Sequence, residues 1–188
     1  EGLISARNAG HDIKINTVAL RGFNDMEFDS IIRWCGEEGF DLTLIETMPM
    51  GQVTGDRADQ YLPLSQVRAD LQERWALEEC DHQTGGPARY MKIGETGRRL
   101  GFITPLTHNF CESCNRIRLT STGILYMCLG QEDAADLRTP LRLSPDDDAL
   151  LHTSITEAIG RKPRGHDFAI DRDNLNPAVP RHMNVTGG

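Results

Sequence analysis

Three of the five cysteines gather in the run Cys111-Glu-Ser-Cys114 and its follower Cys128, a C-x2-C-x13-C spacing. A CxxC lets one tight turn present two thiolates to a common centre, and a returning strand can deliver a third. Soft thiolates suit zinc or an iron–sulfur cluster, not magnesium or calcium. Arg116 and Arg118 follow at period two, so on a strand they face one way while Ile117 and Leu119 face the other. Paired guanidinium groups beside a metal make a site for an anion, phosphate above all. A zinc-stapled loop with solvated arginines competes with this reading, and His108 would complete its Cys3His set. A redox pair of Cys111 and Cys114 alone is weaker. That CxxC does not follow the first strand of a thioredoxin-like unit, and Cys128 has no part in it.

The charge pattern agrees with an anion site. The 188 residues carry a net charge of −8, which argues against general nucleic-acid binding. Yet residues 89–118 hold Arg89, Lys92, Arg98, Arg99, Arg116 and Arg118 against Glu95 and Glu112, a local +4. An odd cysteine count with three clustered does not fit a secreted disulfide scaffold, and the compartment reads as reducing and cytoplasmic. Apolar residues at 38% suit one soluble domain or a little more, and no apolar run has membrane-spanning length. The chain opens at Glu1 without a methionine, which reads as a piece of something longer.

The elements that must position these residues change character along the chain. Ile13–Leu20 is β-branched and apolar, a buried strand. Asn24 with Glu27 makes a capping-box pattern for a helix carrying Phe28, Ile31, Ile32 and Cys35 and ending at Gly39. A second strand, Leu42–Met48, completes a parallel βαβ unit, with Cys35 as a core residue. A helix from Ser65 buries Val67, Leu71 and Trp75. Hairpins follow: 88–93 with 98–103 about Gly94-Glu95-Thr96-Gly97, and 116–120 with 124–129 about Ser121-Thr122-Gly123. Ser144-Pro145 and three aspartates open a last helix with Leu151, Ile155, Ala158 and Ile159 buried. The fold class is therefore α/β, parallel first and antiparallel later, with a boundary near residue 60.

With these residues in view, the chain resembles the radical S-adenosylmethionine GTP 3′,8-cyclase family of molybdenum cofactor biosynthesis, over essentially its whole length. The resemblance rests on Asn109–Leu119, Leu125–Leu129, Ile13-Lys14-Ile15-Asn16, Ile45-Glu46-Thr47-Met48 and the terminal Gly187-Gly188, in order and at the family's spacings. It implies that residues 1–60 are the last strands and helix of an incomplete (β/α)6 barrel. Residues 61–188 would form an antiparallel-sheet and helix domain that holds an iron–sulfur cluster and GTP.

By the same resemblance, Cys111, Cys114 and Cys128 are the three ligands of a 4Fe-4S cluster whose fourth iron is open to substrate. Lys14, Arg116, Ile117 and Arg118 contact GTP, Met48 contacts S-adenosylmethionine, and Gly187 and Gly188 form a tail reaching the active site. The partners implied are GTP, S-adenosylmethionine and an electron donor, with no nucleic acid and no membrane; a homodimer is left open. S-adenosylmethionine and a second 4Fe-4S cluster belong to the full-length protein. That cluster's CxxxCxxC motif does not occur in these 188 residues, so the piece by itself should be inactive. Thr43 stands where some members have a phosphate-binding arginine, and Arg21, Arg57 or a residue of the family's first half is a candidate substitute.

Overall fold

The computed structural model describes residues 1–51, 57–170 and 177–186. A short helix, α1 (Gly2–Asn8), opens the chain; none of its residues is buried, so no apolar period announces it in the sequence. Then come β1 (Lys14–Ala19), α2 (Phe28–Glu38) and β2 (Asp41–Glu46). β1 and β2 pair in parallel, from Lys14↔Asp41 to Ala19↔Glu46, as the βαβ pattern requires. Gly39 ends α2 in the left-handed region, with φ at 76°.

The start of α2 differs from the capping-box expectation. Asn24 Oδ1 accepts the Leu20 N–H at 2.9 Å, and Asn24 Nδ2 donates to the Val18 carbonyl at 2.8 Å. Its side chain thus closes the end of β1. The helix begins later, after Glu27, with no side-chain cap.

After α3 (Arg57–Gln60) and α4 (Leu64–Gln72) come β3 (Leu77–Glu79) and the hairpin β4 (Arg89–Ile93) and β5 (Arg99–Ile103). They build a mixed five-stranded sheet in the order β1-β2-β5-β4-β3. β5 returns to pair in parallel with β2 (Leu42↔Leu100, Leu44↔Phe102), while β4 pairs antiparallel with β5 and β3. One face packs Leu42, Leu44, Met91, Leu100 and Phe102 against Ile32 and Cys35 of α2 and Leu64, Val67 and Leu71 of α4. Each such large side chain contributes about 1.5–3 kcal/mol by leaving water. Cys35 is 2% exposed, a core residue as its helical spacing indicates.

The second sheet is small and antiparallel: β6 (Arg118–Leu119), β7 (Ile124–Tyr126) and β8 (Ala134–Asp136). It is followed by α5 (Arg138–Leu143), α6 (Ala149–Gly160) and a 3-10 turn, Met183–Thr186. Leu125, Met127, Leu137 and Ala158 form its core, with Leu151 and Ile155 packed against them. Two expectations are corrected here. Ile159 is 48% exposed. And α6 starts only at Ala149, whose N–H donates to Asp147 Oδ1 at 3.0 Å, so the aspartates form the turn before the helix.

Compactness follows the sheets more than the change of pattern near residue 60. One unit comprises Glu1–Met48 and Ala58–Phe110, the other Pro49–Arg57 and Cys111–Gly188. The reason is the β2–β5 pairing, which draws the first hairpin into the first unit. Among the described residues no helix is long and apolar enough to cross a membrane.

Candidate functional site

The second unit carries the cysteines. The Cys114 N–H donates to the Cys111 carbonyl at 3.1 Å, which closes the CxxC into a tight turn. Cys128 follows β7, the second arm of a hairpin. Gly123 takes φ 84° at its tip, and Thr120 Oγ1 accepts the Ile124 N–H at 3.0 Å. β6 and β7 then pair through Arg118↔Tyr126. All three thiols are free and partly exposed.

Arg116 and Arg118 keep the expected alternation but not the expected strand. β6 begins only at Arg118, and Arg116 precedes it in irregular chain. Both arginines are nevertheless half-buried, while Ile117 is 40% and Leu119 58% exposed, a reversal of the usual preference. Arg116 Nη2 stands 3.6 Å from Cys114 Sγ. Arg118 Nη1 donates to the Ile117 carbonyl at 3.5 Å, and its buried Nε has no partner among the described residues.

The electrostatics tie the cysteines into one neighbourhood. Burial would raise the Cys114 thiol, but hydrogen bonds from the Arg116 main chain and guanidinium, with the charges of Arg116 and Lys162, outweigh it and hold it below its ordinary value. At Cys128 burial prevails and pushes the thiol up; the Gly130 N–H and Lys162 oppose this, while Cys111 and Cys114 add to it. The residues present fit a thiolate-bound metal group: three soft donors that feel one another, beside cations that offset their charge. Among the described residues no group of three or more His, Cys, Asp or Glu side chains is placed to hold a metal ion.

Sequence reasoning passed over the segment after α6. Lys162 Nζ donates to the Met127 carbonyl at 2.6 Å and to the Arg116 carbonyl at 2.9 Å. Gly165 backs onto Cys111, where an added Cβ would stand 3.6 Å from Cβ and Sγ. A lone lysine in a polar run has no periodic signal that could have marked it.

The first unit holds the other two candidates, and it does not bring them together. Lys14 starts β1, whereas Met48 lies half-buried just past the C-terminal end of β2; the strands are parallel, so the two occupy opposite ends of the sheet. Lys14 Nζ donates to the Tyr90 hydroxyl at 3.3 Å. Thr43 is fully buried, with its hydroxyl unpartnered among the described residues. His108 belongs to this unit, where its carbonyl accepts from Thr104 Oγ1 at 3.1 Å. Gly187 and Gly188 lie outside the described residues.

A family model described as Molybdenum Cofactor Synthesis C matches residues 40–168, which takes in the CxxC turn, the hairpin and Lys162. The chain belongs to this family. It is 65% identical over all 188 residues to the GTP 3′,8-cyclase of Rhizobium etli (strain CIAT 652). The proteins of that name from Agrobacterium fabrum (strain C58 / ATCC 33970) and Brucella suis biovar 1 (strain 1330) are 63% and 62% identical over the same length. In each case the whole of this chain covers 54% of the relative, so the chain spans about half the length of the curated relatives it matches.

Proposed function

We propose that this chain is the substrate-binding C-terminal part of a GTP 3′,8-cyclase, which converts GTP to 3′,8-cyclo-7,8-dihydro-GTP in molybdenum cofactor biosynthesis. The observation that carries the proposal is Arg116, a half-buried guanidinium at the Cys114 thiol, in a chain so similar to proteins of that name. Cys111, Cys114 and Cys128 would hold a 4Fe-4S cluster. Such a group with three thiolate ligands supplies one open coordination site, where the purine can bind.

The chain's own residues then have separable tasks. Arg116 and Arg118 grip an anionic substrate beside the cysteines, as the unpartnered Arg118 Nε allows. Ile117 contributes main chain between them. Lys14 adds a phosphate contact, with the Tyr90 hydroxyl steadying its ammonium. Met48 borders S-adenosylmethionine, and the Gly187-Gly188 tail lets main chain approach closely.

Residues 1–60 would be the end of the barrel and 61–188 the cluster domain. The radical that takes hydrogen from ribose C3′ would arise from S-adenosylmethionine at a second 4Fe-4S cluster, fed by an electron donor, in the part of the relatives outside this span. The 188 residues alone should therefore form no product. The setting would be cytoplasmic, without nucleic acid or membrane.

A structural zinc module is the second reading, supported by His108 ahead of the CxxC. Isolation without oxygen separates the two: brown protein with iron and sulfide supports the cluster, and colourless protein with one zinc overturns it. In the full-length protein, Arg116→Ala and Arg118→Ala should each weaken GTP binding by about 1.5–3 kcal/mol. Unchanged calorimetric affinity in both would make them surface residues only.

A further inference from the structure

The short run Lys162–Gly165 touches all three segments that carry the cysteines. The Lys162 ammonium bonds to the carbonyl of Met127, the residue before Cys128, and to the carbonyl of Arg116, two residues after Cys114. Three residues on, Gly165 lies against Cys111, and Gln131 Nε2 holds the Gly165 carbonyl at 3.1 Å. The β6–β7 ladder pairs Arg118 with Tyr126 and Leu119 with Leu125, so Arg116 and Met127 lie just beyond the two strands. The ammonium stands where that ladder stops, and closes the open end of the hairpin.

An ammonium has three N–H donors, and two are spent on these carbonyls. Met127 is fully buried, so the carbonyl pairs lie in a region where an unmade hydrogen bond is costly. A side chain without a donor would leave the buried Met127 carbonyl without this hydrogen bond. The same positive charge sits on the main chain one residue before Cys128 and two residues after Cys114. Three thiolates around an iron–sulfur group carry net negative charge, which grows on reduction, so a fixed cation beside them favours the reduced state.

We propose that Lys162 is a positioning residue of the cysteine site: it locks the Cys128 arm to the Cys114–Arg116 segment and supplies a fixed positive charge for the group the thiolates hold. The inference rests on the iron–sulfur reading above. It goes beyond that reading in assigning stability and reduction potential of the site to a residue that is neither a ligand nor a substrate contact.

The test uses the full-length protein reconstituted without oxygen, with Lys162→Met, Lys162→Gln and Lys162→Arg variants and a Cys128→Ala control. Iron and sulfide are counted per chain, iron release to a chelator is timed, and midpoint potentials are measured. Lys162→Met should release iron from this site about 10–100-fold faster, the range found when residues that orient metal ligands are replaced. Lys162→Gln keeps a donor for the carbonyls but no charge; it should retain its iron better and titrate at a more negative potential than wild type. Lys162→Arg should move the potential back toward wild type. Wild-type retention and potential in both Lys162→Met and Lys162→Gln would overturn the proposal. If Cys128→Ala also holds as much iron as wild type, the iron–sulfur reading itself has failed, and the proposal with it.

Discussion

The ring of Tyr90 lies against Gly101 on the neighbouring strand, where an added Cβ would stand 2.9 Å from both Tyr90 Cε1 and Thr43 Oγ1. The two residues are register partners in β4 and β5. The missing side chain lets the tyrosine stretch over β5 toward β1, where its hydroxyl meets the Lys14 ammonium; His82 packs edge-on at 4.7 Å to hold the ring.

Gly101→Ala should therefore displace the ring and lower stability by about 1–3 kcal/mol, the cost of overpacking. Tyr90→Phe keeps the ring and removes only the hydroxyl, so its cost should stay within about 1 kcal/mol. Urea titrations of both variants check the order. Equal losses would mean that ring position and glycine are unrelated.

Glu46 is a second point of leverage. It is fully buried at the end of β2, and accepts the Leu64 N–H at 3.1 Å, the Leu106 N–H at 2.9 Å, the Thr107 N–H at 3.1 Å and the Thr107 hydroxyl. One carboxylate thus secures the start of α4 and the turn after β5. Glu46→Gln turns an acceptor into a donor that faces other donors, and should cost about 3 kcal/mol or more. Hydrogen exchange at Leu64, Leu106 and Thr107 should accelerate together; independent behaviour of the three amides would break the link.

Two turn glycines separate backbone strain from crowding. Gly39 and Gly123 both have positive φ, but a Cβ at Gly39 meets nothing within 4 Å, while at Gly123 it would stand 2.8 Å from Arg138 Cβ. Gly39→Ala should lose about 1 kcal/mol from the left-handed conformation alone. Gly123→Ala should lose about 1–3 kcal/mol more through the clash. Thermal unfolding that ranks the two in reverse would refute the assignment.

Burial first, then the Asp41 carboxylate, push the Cys35 thiol from 9.0 to about 11, against the pull of Arg98. Its alkylation near pH 8 should be much slower than that of Cys80, which is partly exposed. Because the folded value is raised, the stability it contributes is complete below pH 9 and declines as pH rises toward about 11. Cys35→Ala should flatten that alkaline decline in unfolding free energy. A decline as steep as wild type would assign it to other groups.

Local pattern told most where side chains alternate or recur. The βαβ unit, α4 and both hairpins follow from their own residues, and the buried face of α2 is where Phe28, Ile32 and Cys35 place it. Elements without an apolar period were silent: α1, and the short β8 and α5, which bury little surface of their own. The return of β5 to β2 could not be read either, since pairing over such distance is decided by the whole core. At the site, the cysteine spacing and arginine alternation were legible because they repeat. Lys162 was not: its role comes from two carbonyls, and any residue could have supplied those.

The parallel pairing of β5 with β2 also sets a timetable for synthesis. Asp41 and Arg99, which join those strands through a 2.8 Å ion pair, are 58 residues apart. A chain emerging from the ribosome exposes β1, α2 and β2 long before β5 exists, so one edge of β2 stays open meanwhile. Leu42 and Leu44 must wait for Leu100 and Phe102. Contacts of such long range form slowly, and an open apolar edge invites pairing with another chain. Slowing translation between residues 60 and 99 should therefore lower soluble yield, and a chaperone that shields strand edges should restore it.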